Sequence, residues 1–116
     1  MFDREQFKKI SFTARPGDDI RWVANYEYRN YLIEIRTTFE LRYWMVKTIC
    51  KTGIGENIIV GPDDNGQAHY YLEPTVLARM LHGEDVEEYI KNVRDAKDLA
   101  DYICENMEKL QKGEIV

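Results

Sequence analysis

The sequence predicts an α+β fold in which an antiparallel sheet of about four strands, arranged as two hairpins, packs on C-terminal amphipathic helices. Apolar and polar residues alternate on both sides of Arg29–Asn30, and two further β-rich segments flank residues 61–66, which are typical of a turn. From Val86 to Leu110, apolar residues recur every three or four positions, which is the period of a helix. A chain of 116 residues can bury one core, so residues 1–116 are expected to form a single domain.

The first element is predicted to be a short helix. Asp3 has the residue type of an N-cap, and Gln6 stands three positions later, as in a capping box. One or two helical turns would then run to Lys9. The residues anchoring this helix to the domain would be Phe2, Phe7 and Ile10. A Pro-Gly pair makes residues 14–19 a loop.

The strongest strand pattern surrounds a two-residue turn at Arg29–Asn30, with Asn30 tolerating a positive φ. The turn makes one face of the hairpin almost wholly apolar and the other mostly polar, and a slip of one residue would mix them. The apolar face receives the pairs Tyr28–Tyr31, Tyr26–Ile33, Ala24–Ile35, Trp22–Thr37 and Ile20–Phe39. The polar face receives Glu27–Leu32, Asn25–Glu34, Val23–Arg36 and Arg21–Thr38. The pattern therefore predicts the register as well as the hairpin.

Residues 40–52 are compatible with a strand or a helix. The β-branched Val46, Thr48 and Ile49 and the period-two pattern around Trp44 favour a strand. In the alternative, residues 37–40 cap a helix that runs to Thr52, with a glycine after its end.

A second hairpin is predicted from Ile58–Val60 and Ala68–Leu72, joined by the turn-forming residues 61–66. Pro74 is placed at the first position of a helix. The apolar side of this helix would consist of Val76, Leu77, Met80 and Leu81, and Gly83 would end it.

A longer amphipathic helix is predicted from about Asp85, with acids in its first turn and Lys109, Lys112 and Gly113 at its far end. Its apolar stripe would consist of Val86, Tyr89, Ile90, Val93, Ala96, Ala100, Ile103, Cys104, Met107 and Leu110.

Composition bears on location and chemistry. Apolar residues make up 44% of the chain and charged residues 32%, which is typical of a globular protein. No run approaches the roughly 18 consecutive apolar residues of a membrane span, and residues 1–5 lack the apolar region of a signal peptide. We therefore expect a cytoplasmic protein with no membrane partner. Cys50 and Cys104 lack the spacing of a metal or redox motif and are interpreted as buried thiols.

No motif indicates a named chemistry. The Gly-x-Gly loop at residues 53–55 does not fit a phosphate-binding loop, because its lysine precedes the glycines. Residues 63–66 lack the ligand spacing of a calcium-binding EF-hand. His69 and Glu73 could form a general base without an evident nucleophile, and His82 suits the C-terminal end of a helix. We therefore predict that the protein is not an enzyme and has no catalytic residue, cofactor or metal site.

Charge supplies the strongest functional indication. Residues 1–55 carry a net charge of +3 and residues 56–116 a net charge of −8. The acids that lie away from the apolar stripe of the long helix are Glu88, Asp95, Asp98, Asp101, Glu105 and Glu108. We expect these residues to bind a partner protein with a basic surface. The chain would then be an inhibitor, immunity or accessory protein, and its size and charge are similar to those of small antagonists from phages and toxin systems.

Two alternative functions stay open. The aromatic and basic residues of the sheet could bind single-stranded nucleic acid, although the pairing places most of the arginines on the face opposite the aromatics. The residues concerned are Trp22, Tyr26, Tyr28, Tyr31 and Tyr43 with Arg21, Arg29, Arg36 and Arg42. A small enzyme that uses His69 is the other alternative. A homo-oligomer is also expected if Trp44, Tyr70 and Tyr71 are exposed.

Overall fold

The structure is a computed structural model that describes residues 1–14, 20–38 and 44–115, without the side chains of residues 20, 21 and 38. The strands within these residues form one antiparallel sheet in sequence order: β1 (Phe7–Ala14), β2 (Ile20–Tyr28), β3 (Tyr31–Thr38), β4 (Trp44–Cys50), β5 (Glu56–Pro62) and β6 (Ala68–Pro74). The helices that follow are α1 (Val76–Leu81), α2 (Val86–Glu105) and α3 (Met107–Gln111). The predicted α+β class is confirmed, but the sheet has six strands rather than about four.

The N-terminal segment is a strand where a helix is predicted. Asp3 caps only a 3-10 turn, Arg4–Gln6, by accepting a hydrogen bond from the Glu5 N–H (3.1 Å). The chain then extends as β1, because Phe7 is buried against the ring of Tyr26, 5.1 Å away between centroids. Strand pairing also satisfies the backbone N–H and C=O groups along β2.

The register of the β2–β3 hairpin is confirmed. The observed apolar-face pairs are Trp22–Thr37, Ala24–Ile35, Tyr26–Ile33 and Tyr28–Tyr31. The register shifts between Ile20 and Trp22, so Ile20 lies opposite Thr38. The partner predicted for Ile20, Phe39, lies outside the described residues.

The turn of this hairpin differs from the prediction in one respect. Arg29, not Asn30, takes the left-handed conformation, with φ of 48°. The amide of Asn30 donates a hydrogen bond to Asn92 Oδ1 of α2 (3.0 Å) instead. The turn is therefore attached to the helix as well as to the two strands.

β4 resolves the strand-or-helix alternative for residues 44–50 in favour of a strand, whereas residues 40–43 lie outside the described ranges. Buried and exposed side chains alternate along all of β4, as on a strand with one covered face. The buried Thr48 hydroxyl accepts a hydrogen bond from the Ile58 N–H (2.6 Å). It thereby supplements the short β4–β5 ladder, which pairs only Val46 with Val60 and Lys47 with Ile59.

β5 and β6 confirm the second hairpin, and both strands extend beyond the predicted bounds. Pro74 ends β6 and does not begin a helix. Thr75 instead is the N-cap of α1, where its hydroxyl accepts a hydrogen bond from the Ala78 N–H (2.9 Å). The threonine hydroxyl accepts from an N–H group that has no partner within the helix, whereas a proline side chain has no hydrogen-bond acceptor.

α2 begins after Asp85 as predicted, but its buried side is rotated relative to the predicted stripe. Val86 and Ile90 are 42% and 48% exposed. The residues of α2 that are buried are Asn92, Asp95, Ala96, Leu99, Ala100 and Ile103. The helix also ends earlier than predicted, because α2 stops at Glu105 and Asn106 leaves the helical conformation. The separate α3 carries the stripe on to Gly113, whose φ is 68°.

Buried tyrosines connect the sheet to the helices across the core. The Tyr26 hydroxyl donates to the Leu110 carbonyl (2.9 Å), and the Tyr31 hydroxyl donates to the Asn92 carbonyl (2.7 Å). The Tyr28 hydroxyl accepts a hydrogen bond from the Asp3 N–H (3.0 Å). Each side chain therefore buries an apolar ring and still satisfies its polar end.

Candidate interaction surfaces

The six predicted partner-binding acids do not form one uniform surface. Glu88, Asp101, Glu105 and Glu108 are exposed, although the Asp101 carboxylate accepts a hydrogen bond from the Tyr70 hydroxyl (3.0 Å). Asp98 is half-buried, with Oδ2 lying 3.0 Å from the Met1 amino nitrogen. Asp95 is buried. The structure therefore leaves only part of the set facing solvent.

Asp95 forms an ion pair that joins α2 to the β2–β3 turn. Arg29 Nη1 lies 2.6 Å from Asp95 Oδ1, and the guanidinium also lies over the Tyr28 ring, 5.2 Å from its centroid. Asp95 Oδ2 is buried and finds no hydrogen-bond partner within the described ranges. The Asp95 carboxylate therefore pairs with Arg29 inside the fold and is not accessible to a protein partner.

Asn92 is a buried residue that the apolar stripe does not predict. Its amide donates to the Ile54 carbonyl, and its Oδ1 accepts from Asn30 (3.0 Å). Gly55 makes this approach feasible, since a Cβ there would lie 2.8 Å from Asn92 Cβ, and its φ is 142°. The Gly-x-Gly loop therefore packs on α2, which agrees with its interpretation as a loop. Asn92, Asp95, Ala96 and Leu99 follow helical spacing, a signal that could have predicted their shared face.

The turn from α1 into α2 combines acidic and exposed apolar side chains. We call this surface the acidic corner and define it by Val76, Met80, Glu84, Asp85, Glu87 and Glu88. Val76 and Met80 are each 73% exposed, one helical turn apart on α1. No lysine or arginine occurs between residues 80 and 90. Among the predicted partner-binding acids, Glu88 belongs to this corner.

The open face of the sheet, opposite the helices, mixes apolar and charged side chains. Leu32, Ile49 and Ile10 border a shallow groove of about 520 Å³, together with charged residues of β3 and β4. Arg36 Nε lies 2.6 Å from Glu34 Oε1, which is an exposed ion pair. Both residues belong to the face of the hairpin that the register predicts to be polar.

The tyrosine side chains of the hairpin are buried and are not available for stacking on bases. Tyr26, Tyr28 and Tyr31 are at most 1% exposed, and Trp44 is 8% exposed. Trp22 is half-buried, while Tyr43 and Arg42 lie outside the described residues. Burial of the aromatic layer therefore removes the main support for the nucleic-acid alternative.

His69 and Glu73 point to the same side of β6 but are four residues apart. A strand rises about 3.3 Å per residue, so their Cα atoms are separated by roughly 13 Å. That distance prevents direct hydrogen bonding between the two side chains, so they do not form the general base considered from the sequence. His82 is the C-cap of α1, as its predicted helix-end position requires, and its ring lies 4.5 Å from the ring of Tyr89.

Both cysteines are free thiols. Cys50 is buried as predicted, whereas Cys104 is half-buried, and burial raises the pKa of its thiol. Within residues 1–14, 20–38 and 44–115, no cluster of His, Cys, Asp and Glu side chains is arranged to hold a metal ion. None of the helices in these ranges is long and apolar enough to cross a bilayer.

Comparisons with protein-family models, with curated proteins and with solved structures find no match to this chain.

Proposed function

We propose that the chain is a non-enzymatic protein-binding module that engages a basic partner through its acidic helical half, as an inhibitor, immunity or accessory protein does. The observation that carries this proposal is the acidic corner. Its acids follow directly in the chain after α1, whose aliphatic Val76 and Met80 are each 73% exposed.

The composition of the acidic corner favours a particular kind of partner. Lysines and arginines on the partner would face Glu84, Glu87 and Glu88, which increases the association rate and orients the encounter. An apolar patch between these bases would cover Val76 and Met80. Burial of such exposed aliphatic groups supplies affinity that exposed charges alone do not supply.

The remaining acids of the predicted set have different roles in this proposal. Glu105 and Glu108 are exposed near the other end of the helical half, where Glu108 Oε1 lies 3.7 Å from Lys112 Nζ. Asp95 is omitted from the binding surface, because Arg29 neutralises it inside the fold.

Affinity capture from a lysate of the source cells tests the proposal with charge-neutral variants. One variant carries Glu84→Gln, Glu87→Gln and Glu88→Gln, and the control removes the same charge elsewhere. The control substitutions are Glu5→Gln, Asp64→Asn and Glu114→Gln. A partner should be retained at low salt, released at high salt, and reduced about tenfold by the first variant only.

Retention of no specific partner at low salt would contradict the proposal. Equal retention by the corner variant and the wild-type chain would also contradict it. A captured partner is then purified, and its binding to both variants is measured by calorimetry. A neutral or acidic contact surface on that partner would again refute the assignment.

A further inference from the structure

The outer edge of β6 has no neighbouring strand within the described residues. At the two ends of the β5–β6 ladder, the Asp63 N–H donates to the Gln67 carbonyl (2.8 Å) and the Thr75 N–H to the Gly55 carbonyl (3.3 Å). Hydrogen-bonded pairs alternate along an antiparallel ladder, so the odd-numbered residues of β6 bond to β5. The residues whose backbone N–H and C=O groups point out of the sheet are therefore Ala68, Tyr70 and Leu72.

The two edges of the sheet differ in how well they resist pairing. β1 shifts register between Lys9 and Ser11 and carries lysines at residues 8 and 9. Bulges and lysines are features that prevent a strand edge from pairing with another chain. β6 has no lysine and no register shift, and its proline is the last residue of the strand. β6 is therefore the edge that can accept a further strand.

The side chains of β6 are complementary to their own copy. When two β6 strands run antiparallel about Tyr71, His69 of each strand lies opposite Glu73 of the other. Such directly opposite pairs interact across neighbouring strands, and here each pair joins an imidazole to a carboxylate. Tyr71 is 56% exposed and lies opposite Tyr71 of the copy at the centre. An aromatic pair and two polar pairs therefore share one face.

A stripe of α2 runs beside the same edge. We call it the edge stripe and define it by Val86, Ile90, Val93, Lys97, Asp101 and Cys104, which follow helical steps of three and four. Asp101 accepts a hydrogen bond from Tyr70, and Cys104 lines one pocket with Ala68, so the C-terminal end of α2 lies at the first residues of β6. Near the other end, the Tyr89 hydroxyl donates to Glu56, which pairs with Pro74 of β6. Val86 and Ile90 are partly exposed on this stripe. Apolar surface thus accompanies the unpaired backbone.

We propose that two copies of this chain dimerise by pairing their β6 strands antiparallel about Tyr71, which joins the two sheets into one. Tyr70 of each copy exchanges main-chain hydrogen bonds with Leu72 of the second copy. The twofold axis is perpendicular to the sheet, so both α2 helices lie on one side and their edge stripes face each other. No residue of the acidic corner belongs to β6 or to the edge stripe, so the dimer is argued from other residues than the proposed function.

Analytical ultracentrifugation of the full chain tests the dimer, with charge variants at exposed positions that do not contribute to the core. The wild-type mass should rise with concentration from 13.8 kDa to twice that value. His69→Glu places like charges opposite each other and should weaken dimerisation about tenfold. The double variant His69→Glu/Glu73→Lys restores opposite charges and should restore the dimer. A monomer at every concentration, or equal dissociation constants for all three chains, would overturn the proposal.

Cysteine cross-linking tests the register. Opposed residues of a non-hydrogen-bonded antiparallel pair are close enough for a disulfide, so Tyr71→Cys should cross-link two copies on mild oxidation. Asp64→Cys, in the exposed hairpin turn, is the control. If Tyr71→Cys cross-links at the same rate as this control or more slowly, the proposed register is overturned. A strand of another protein would then be the competing occupant of this edge.

Discussion

Asn92→Ala is the sharpest test of how α2 is attached to the sheet. The substitution removes the hydrogen bond to the Ile54 carbonyl and the one from Asn30, but it keeps the Cβ that packs on Gly55. Each lost hydrogen bond with a partly buried partner costs about 1–1.5 kcal/mol. The better helix propensity of alanine returns about 0.6 kcal/mol. We expect a net loss of about 2 kcal/mol.

Thermal unfolding followed by circular dichroism measures this loss. A chain of 116 residues has an entropy of unfolding of about 0.24 kcal/mol/K, so the melting temperature should fall by about 8 °C. The control is Asn25→Ala, which removes an exposed hydrogen bond to Ser11 (3.0 Å) on the open face and should cost less than about 0.5 kcal/mol. Equal melting temperatures for the two variants would refute the assignment of Asn92 as the attachment point.

Two further predictions concern buried ionisable groups. Arg29→Met leaves Asp95 charged and unpaired inside the fold, so it should lower the free energy of unfolding by about 3 kcal/mol. The double variant Arg29→Met/Asp95→Leu should be more stable in urea than this single variant, and the opposite order would contradict the reasoning. Burial raises the pKa of Tyr26 to about 12 and also raises the pKa of Tyr31. The folded chain therefore holds these protons more tightly than the unfolded chain, in which tyrosine titrates near pH 10. This contribution to stability is complete below about pH 10 and is lost as the pH rises towards 12. A free energy of unfolding that stays constant in urea titrations as the pH rises from about 9 to about 12 would argue against buried tyrosines.

The hairpin around Arg29 shows what residue alternation can predict. Its register follows from the period of two, because a slip of one residue would move every apolar side chain to the solvent face. The same logic fails for residues 7–14. There a capping pattern at Asp3 indicates a helix, and only the unpaired edge of β2 together with the pocket for Phe7 makes the segment a strand.

The candidate surfaces could be predicted only in part. The charge of the helical half is a property of the sequence, but the sequence does not separate Glu88, which faces solvent, from Asp95, which faces Arg29. Helical spacing places Asp95 near the border of the apolar stripe. Whether Asp95 is buried or exposed depends on where the β2–β3 turn lies relative to α2.

Local periodicity in the sequence was enough to predict the first hairpin, the second hairpin and the start of the long helix. Periodicity determines these because it depends only on neighbouring residues in one strand or one helix turn. Only contacts made in the folded chain show that β1 joins the sheet, that Asn92 and Asp95 are buried, and that β6 is the last strand of the sheet among the described residues. Those outcomes depend on contacts between residues far apart in the chain, where burial and backbone pairing outweigh local preference.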